Sequence, residues 1–342
     1  MGQLSFLQFL RNQLKSFPPP TKCDLSGKTV LVVGANVGIG LEAAKHFARM
    51  QPGKLIVTAR DAAKGQVTVS TIQAQTGFGN VHSRVLELSS FASVAAFADA
   101  FEKEEERLDI YVYNAGISTR QYAVTEDGWE STLQINDLSC ALLSMLLLPR
   151  MLESAKTSIS RPRMVIVASE VHFWATVNDE ERASPRILDK ANNKEYCEAS
   201  AMGRRYFFSK MLDVMVVREL AARLPSDSPL IVDCVNPGFC SSELGRNSSL
   251  IFRAVSYLLQ FGITRTPEQG SRQLVWAALG RSEKEDELRG AYVSDHDVEE
   301  PSDFLLSEQG AKDQKRIFDE IIETLSEVST KFKAVVDKYL AE

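Results

Sequence analysis

Tyr206 and Lys210 stand four residues apart in the run YFFSK, a helical spacing that puts both on one face, roughly 6 Å apart along the axis. A phenol with a pKa of about 10 exchanges protons poorly at neutral pH, and a nearby ammonium stabilises the phenolate and brings it toward the working range. Ser169 follows the apolar run RMVIVA, so its hydroxyl stands at the carboxyl end of a strand, where a bound carbonyl would be met. Asn136, in LQIND, falls in the long helix before it. Singly, each has a plain reading: a Tyr-x3-Lys pair is common, Ser169 is a strand-end hydrogen-bonder, Asn136 a buried polar group. His172 reads as a ring packed beneath a loop. Tyr206 with Lys210 is equipped to exchange a proton, and Ser169 to meet a bound carbonyl.

A second constellation concerns phosphate. Val30 to Val33 form an apolar strand that runs into Gly34, Gly38 and Gly40, after which LEAAKHFARM is helical. A pyrophosphate needs backbone N–H groups and a helix N-terminus at close range, which a Cβ there would obstruct. The spacing GxxxGxG departs from GxGxxG, but it lies at the first strand–helix junction. The second strand ends at Arg60 and Asp61. An acid directly at that end would favour NAD, whereas the Arg60 guanidinium suits a 2′-phosphate and favours NADP(H); Asp61 reads as the N-cap of the next helix.

The elements that must hold these groups alternate from residue 28 onward: short β-branched runs (KTVLVVG, KLIVTA, VHSRVLEL, LDIYVYNAG, RMVIVAS, LIVDCVNPG, GAYVS) separated by helical stretches, one of them long, over about 126 to 157. Strands apolar throughout and separated by helices require a parallel sheet covered on both faces. The expectation is one α/β doubly wound Rossmann domain of about seven strands over residues 25–295. An N-terminal helical extension would occupy 1–24 and a C-terminal one 296–342. Stretches near 170–200 and 239–265 interrupt the alternation beyond strand ends, as substrate lids or as tolerated loops. Their aromatic and apolar residues Phe173, Trp174, Phe239, Leu244, Phe252, Tyr257 and Phe261 are candidate pocket lining. Leu4, Phe6, Leu7, Phe9, Leu10 and Leu14 give the N-terminus an amphipathic pattern, for packing on the body or touching a membrane surface. Ile317, Ile321, Leu325, Val328, Phe332 and Val336 predict a terminal helix over about 307–340.

Composition narrows the classes. A formal charge of −6 offers no positive field for nucleic acid. Five cysteines without a CxxC pair, and four scattered histidines, suggest neither a disulfide scaffold nor a metal site, and they fit a cytoplasmic protein.

GANVGIG, the NAG at 114–116, Asn136, Ser169, Tyr206 with Lys210, and the NPG at 236–238 occur in the order of a short-chain dehydrogenase/reductase, which the chain resembles over about residues 25–295. In finer detail it is similar to the retinol-dehydrogenase-like reductases of fungi. The resemblance implies that Gly34, Asn36, Gly38, Ile39 and Gly40 hold the NADP pyrophosphate, and that Arg60 faces the 2′-phosphate. Glu87, in the place of an Asp that contacts adenine, stands with Leu88 at the end of the third strand; Asn114, Ala115 and Gly116 flank adenine and ribose. Tyr206 would be the general acid/base. Lys210 would bind the nicotinamide ribose and lower the tyrosine's pKa, Ser169 would bind the substrate oxygen, and Asn136 would hold a relaying water. Pro237 and Gly238 lead to Cys240 and Ser242, matched to the carboxamide. Val33, Tyr113 and Ser242 depart from the family pattern, and Ser169 and Tyr206 are 37 positions apart, longer than its short form. The activity implied is NADP(H)-dependent interconversion of a ketone or aldehyde with an alcohol, on a fairly large apolar substrate of secondary metabolism. A non-redox cyclase or isomerase, or an NADP-binding module, is the alternative. The resemblance also implies a homodimer or a tetramer through the helices around 126–157 and 200–223, or a monomer where the terminal helices cover them.

Overall fold

Strands built from Val, Ile and Leu with no polar alternation must be covered on both faces, and here they are. The computed structural model describes residues 11–13, 15, 18–158, 160–241 and 264–341. Its strands are β1 (Thr29–Val33), β2 (Lys54–Ala59), β3 (Val81–Val85), β4 (Ile110–Tyr113), β5 (Arg163–Val167), β6 (Ile231–Val235), β7 (Tyr292–Ser294) and β8 (Asp297–Glu299). They form one sheet in the order β3-β2-β1-β4-β5-β6-β7-β8. Seven strands are parallel; the eighth, which the sequence pattern does not signal, turns back antiparallel on β7 and pairs Val293 with Val298. Chain order reverses between β1 and β4, the neighbours that pair Val33 with Tyr113, so the crevice for a ligand opens just beyond those two residues.

The principal helices are α1 (Gly38–Arg49), α2 (Ala62–Thr76), α3 (Phe91–Glu104), α4 (Ser139–Ala155), α5 (Arg205–Arg223), α6 (Pro267–Leu279), α7 (Glu308–Val328) and α8 (Thr330–Tyr339). Val30 and Val32 pack with α1, α2 and α6 in one core layer, and Leu31 and Val33 pack with α3, α4 and α5 in the other. The predicted terminal helix is two helices. Ser329 leaves helical geometry at φ −144° and caps α8 by accepting from Phe332 N–H. Ile317, Phe318, Ile321, Leu325 and Phe332 join the core of α4 and α5, so part of the surface on which the homodimer expectation rests is covered within the chain.

The stretch near 170–200 is packed rather than loose. Ala175, Val177, Ile187, Leu188 and Ala191 are buried in the α4–α5 layer. The N–H groups of Ile187 and Leu188 donate to the Glu320 carboxylate at 2.9 and 2.8 Å, and Arg182 pairs with Asp313. The amphipathic positions Leu4 to Leu14, Ser242, and the lining candidates Leu244, Phe252, Tyr257 and Phe261 lie outside the described residues.

Candidate active site

Gly34 continues β1 at φ +77°, and a Cβ there would come within 2.8 Å of the Ala115 backbone. Only glycine lets the ends of β1 and β4 approach so closely. Neighbouring side chains fix the turn: Gly34 N–H donates to Thr58 Oγ1 at 3.1 Å, and Asn114 Nδ2 donates to Gly34 O at 2.9 Å. Gly40 sits against Asn114 and Gly34 O, whereas Gly38 faces open space. Asn36 and Ile39 are half-buried on the same turn. The N-cap of α1, Val37, supplies no side-chain hydrogen bond, and no acid stands in the first turn, leaving that positive helix end available to an anion.

Arg60 is exposed at the end of β2. Asp61 is the N-cap of α2: it accepts from Lys64 N–H at 2.8 Å and pairs with the Lys64 ammonium. That backbone hydrogen bond and the lysine lower its carboxyl below the usual range. Glu87 Oε1 accepts from Ser89 N–H and Oγ at 2.9 and 2.8 Å, and the Leu88 carbonyl accepts from Ser139 Oγ.

The catalytic candidates converge at the ends of β4 and β5. Tyr206 is the second residue of α5, and Lys210 one turn on is buried, its Nζ 5.8 Å from the centre of the Tyr206 ring. Nζ donates to Val167 O at the end of β5 and to Asp213 Oδ2, both at 2.8 Å. A Cβ on Gly116 would lie 3.4 Å from Asn136 Oδ1 and 3.8 Å from Nζ, so the end of β4 is at the same place. Burial raises the Tyr206 phenol above its ordinary value; Lys210 opposes that rise, and Asp213 and Cys240 add to it. The lowering expected of Lys210 is therefore outweighed in the protein by itself.

Asn136 lies in a π-helical segment, Leu133–Leu138, ahead of α4. The wider turn aims its amide at two elements: Nδ2 donates to Ile117 O and Ser209 Oγ, each at 3.0 Å, and Oδ1 accepts from Ile117 N–H at 2.8 Å. Ser209 Oγ donates in turn to Tyr206 O. The side chain expected to hold a water thus ties the loop after β4 to the turn of α5 that carries Tyr206. Ser169 is extended at φ −164° and half-buried, and its Oγ accepts a long bond from Val171 N–H. The Ser169 carbonyl accepts from His172 Nδ1 at 2.7 Å, and His172 Nε2 accepts from Ser302 N–H at 3.2 Å. The ring needs one proton for that pattern, and burial pushes it down to about 4, as a neutral structural histidine under a loop requires. Phe173 is half-buried and packs on the His172 ring, which lies between it and Tyr292, while Trp174 stays partly exposed and meets Phe207 on the first turn of α5.

After β6, Pro237, Gly238 and Cys240 form a turn held by Asn236 of the NPG motif and by Gln13, which carries no sequence signal. Asn236 Oδ1 accepts from the N–H groups of Gly238 and Glu170. Gln13, buried, donates to Glu170 Oε1 at 2.8 Å and accepts from Phe239 N–H at 3.1 Å. One side chain near the N-terminus thus joins the segment after Ser169 to the segment before Cys240. Burial pushes the Glu170 carboxyl up to about 7, with Asp295 adding to the rise and Arg265 and Gln13 opposing it. A raised carboxyl stabilises the fold below its unfolded pKa, and that stability is lost as pH rises through the folded value. Glu170→Gln is expected to flatten the fall in stability between about pH 4.5 and 7 by about 3 kcal/mol relative to wild type; urea melts at several pH values would show an unchanged slope if Glu170 does not carry it.

Comparison with known proteins follows the same lines. Residues 28–173 match the family model described as short chain dehydrogenase. A short chain dehydrogenase/reductase of Cryptosporiopsis sp. is 36% identical over 325 residues, spanning 94% of this chain and 97% of its own. A short-chain dehydrogenase of Penicillium roqueforti is 34% identical over 340 residues, spanning 95% and 84%. Among solved structures, the Pseudomonas aeruginosa RhlG/NADP active-site complex is similar in fold, with a TM-score of 0.56 at 24% identity over 79% of this chain and 95% of that one.

Proposed function

The chain belongs to the short-chain dehydrogenase/reductase family, and on that premise we propose that it is an NADP(H)-dependent oxidoreductase. It interconverts a ketone or aldehyde with an alcohol on a fairly large apolar substrate of secondary metabolism. The observation that carries this reading is the docking of Lys210 against the ends of β4 and β5, one helical turn from Tyr206. The residues fit a dinucleotide: the turn Gly34–Gly40 presents an uncapped helix end with open space at Gly38. Arg60 is exposed at the strand end, and the acid beside it, Asp61, has its carboxylate engaged by Lys64.

When bound, the nicotinamide supplies or accepts the hydride. The protein's own groups do the rest. Tyr206 gives a proton to the carbonyl oxygen in reduction and takes one from the alcohol in oxidation. Lys210 stabilises the phenolate, and Ser169 orients the oxygen by hydrogen bonding. Asn136 holds the Tyr206 turn in place through Ser209. Trp174, exposed beside α5, is placed to shield an apolar substrate from water, in keeping with a lid formed by residues near 170–200.

Titration of wild type and Arg60→Ala with NADPH and with NADH tests the reading. Loss of a charged contact to the 2′-phosphate weakens NADPH binding about 10- to 100-fold and leaves NADH unchanged. Failure of wild type to bind either cofactor would overturn the proposal, and equal effects on both would remove Arg60 from the 2′-phosphate site.

A further inference from the structure

Lys210 has a second acidic neighbourhood that the reaction as described does not use. Asp213, one turn further along α5, is 3% exposed and accepts from Nζ at 2.8 Å. Asp137, next to Asn136 in the π-helical segment, is 2% exposed, and neither of its oxygens has a hydrogen-bond partner among the described residues. An ionised carboxylate so placed is strongly disfavoured, whereas a neutral one is tolerable. Burial, and then the Asp213 charge, push the Asp137 carboxyl well above its usual range. Asp213 is also pushed up by burial, to about 6, with Lys210 opposing the rise. Although burial disfavours the Lys210 ammonium, Asp213 and Tyr206 hold it above its ordinary value.

We propose that Asp213 is a positioning residue for Lys210, and that Asp213 and Asp137, carrying one negative charge between them, set how much of the ammonium's field reaches Tyr206. This rests on the reading of Tyr206 as the proton-transferring group. Ionic groups reach the cluster from several elements. Tyr206 feels Lys210 and Asp213 from its own helix and Cys240 from the turn after β6. Asp137 feels Asp213, Lys210 and Arg205 from α5 and Glu130 from the segment ahead of it. Cys140 of α4, Tyr113 of β4 and Cys234 of β6, thiols and a phenol held neutral well above their usual ranges through burial, also face the cluster. A fixed charge on Asp213 serves two opposed ends. It keeps Lys210 charged in a dry setting, and it competes with the phenolate for the same ammonium, so Tyr206 is held more basic than Lys210 by itself would make it.

Three variants separate these effects: Asp137→Asn, Asp213→Asn and the double substitution. Tyr206 ionisation is read directly from ultraviolet phenolate absorbance, as the difference between each protein and its counterpart carrying Tyr206→Phe, and the acid limb of the pH profile for alcohol oxidation is followed in parallel. Asp137→Asn replaces a neutral group with a neutral group and leaves the Tyr206 titration at its wild-type position. The double variant lowers it by about one unit, and Asp213→Asn falls between, because Asp137 ionises in its neighbour's place. A double variant with Tyr206 unmoved or raised overturns the inference, as does Asp137→Asn shifting Tyr206 as far as the double does. If the phenolate shifts as expected while no form turns over carbonyls or alcohols, the electrostatic inference stands and the redox reading fails. If wild type turns over with a Tyr206-dependent limb that the double variant leaves in place, the reading stands and the inference fails.

Discussion

Tyr206→Phe is expected to reduce carbonyl turnover by about 10²- to 10⁴-fold while NADPH binding stays within a few-fold of wild type. The substitution removes one hydroxyl and keeps the ring, so the contact of Lys210 with the ring face persists, as do the hydrogen bonds of Lys210 to Val167 O and Asp213. On the proposed reading, cofactor affinity rests on other groups, the glycine turn and Arg60 foremost. The loss should therefore fall on kcat rather than on cofactor binding, and steady-state kinetics with a ketone and aldehyde panel, alongside cofactor titration, would separate the two. Undiminished turnover would show that the proton comes from elsewhere. A protein that binds NADPH tightly, turns over nothing, and is indifferent to Tyr206→Phe would point to the non-redox use of the scaffold.

The sequence exposed the groups whose chemistry depends on type and local spacing. A helical i,i+4 interval is sufficient to place Tyr206 beside Lys210, and an apolar run ending in glycine locates the turn between β1 and α1, because both relations are set by backbone geometry within one element or one junction. The N-cap role of Asp61 and the structural role of His172 were legible for the same reason. What escaped was longer in range. Nothing local distinguishes Gln13 from any other polar residue of an amphipathic stretch; its partners lie 157 and 226 positions away. Asp213 stood at i+3 from Lys210 and could have been suspected as an ion-pair partner, but its burial depends on α4 and β4. The resemblance implies a water at Asn136 and places Asn114 beside adenine and ribose; the hydrogen bonds by which both side chains also tie the protein's own loops together had no local signal. The C-terminal break at Ser329 involves neither Pro nor Gly; a serine cap is enough once α8 packs against α4.

The second large effect lies under the site rather than in it. Glu130→Ala is expected to destabilise the protein by about 3–5 kcal/mol, because it leaves a buried guanidinium without its counter-charge. Arg205, the residue before Tyr206, is 1% exposed by its side chain, and its Nε lies 3.2 Å from Oε2 of Glu130, which is fully buried. The alignment is too poor for a hydrogen bond at Nε, so the attraction is coulombic, while Arg205 Nη2 donates to Ala191 O and Cys197 Sγ. Glu130 in turn accepts from the N–H groups of Thr132 and Leu133 at 2.8 and 3.2 Å, where the helical segment bearing Asn136 begins. One carboxylate therefore fixes both the start of the Asn136 segment and the start of α5, the two elements whose relative placement puts Asn136 on Ser209. Glu130→Gln fills the same space and keeps one of the two acceptor oxygens, though it loses the charge and the second acceptor, so it should cost less than the alanine, and urea midpoints at constant m would rank the two. Total stabilities run to about 5–15 kcal/mol, so the alanine variant loses a large share of the fold. In whatever fraction remains folded, turnover should fall further than NADPH binding, since the Tyr206 turn loses its anchor while the glycine turn keeps Thr58 and Asn114. Equal midpoints for alanine, glutamine and wild type would mean that the Arg205 charge is compensated elsewhere and that the pair does not hold α5 in place.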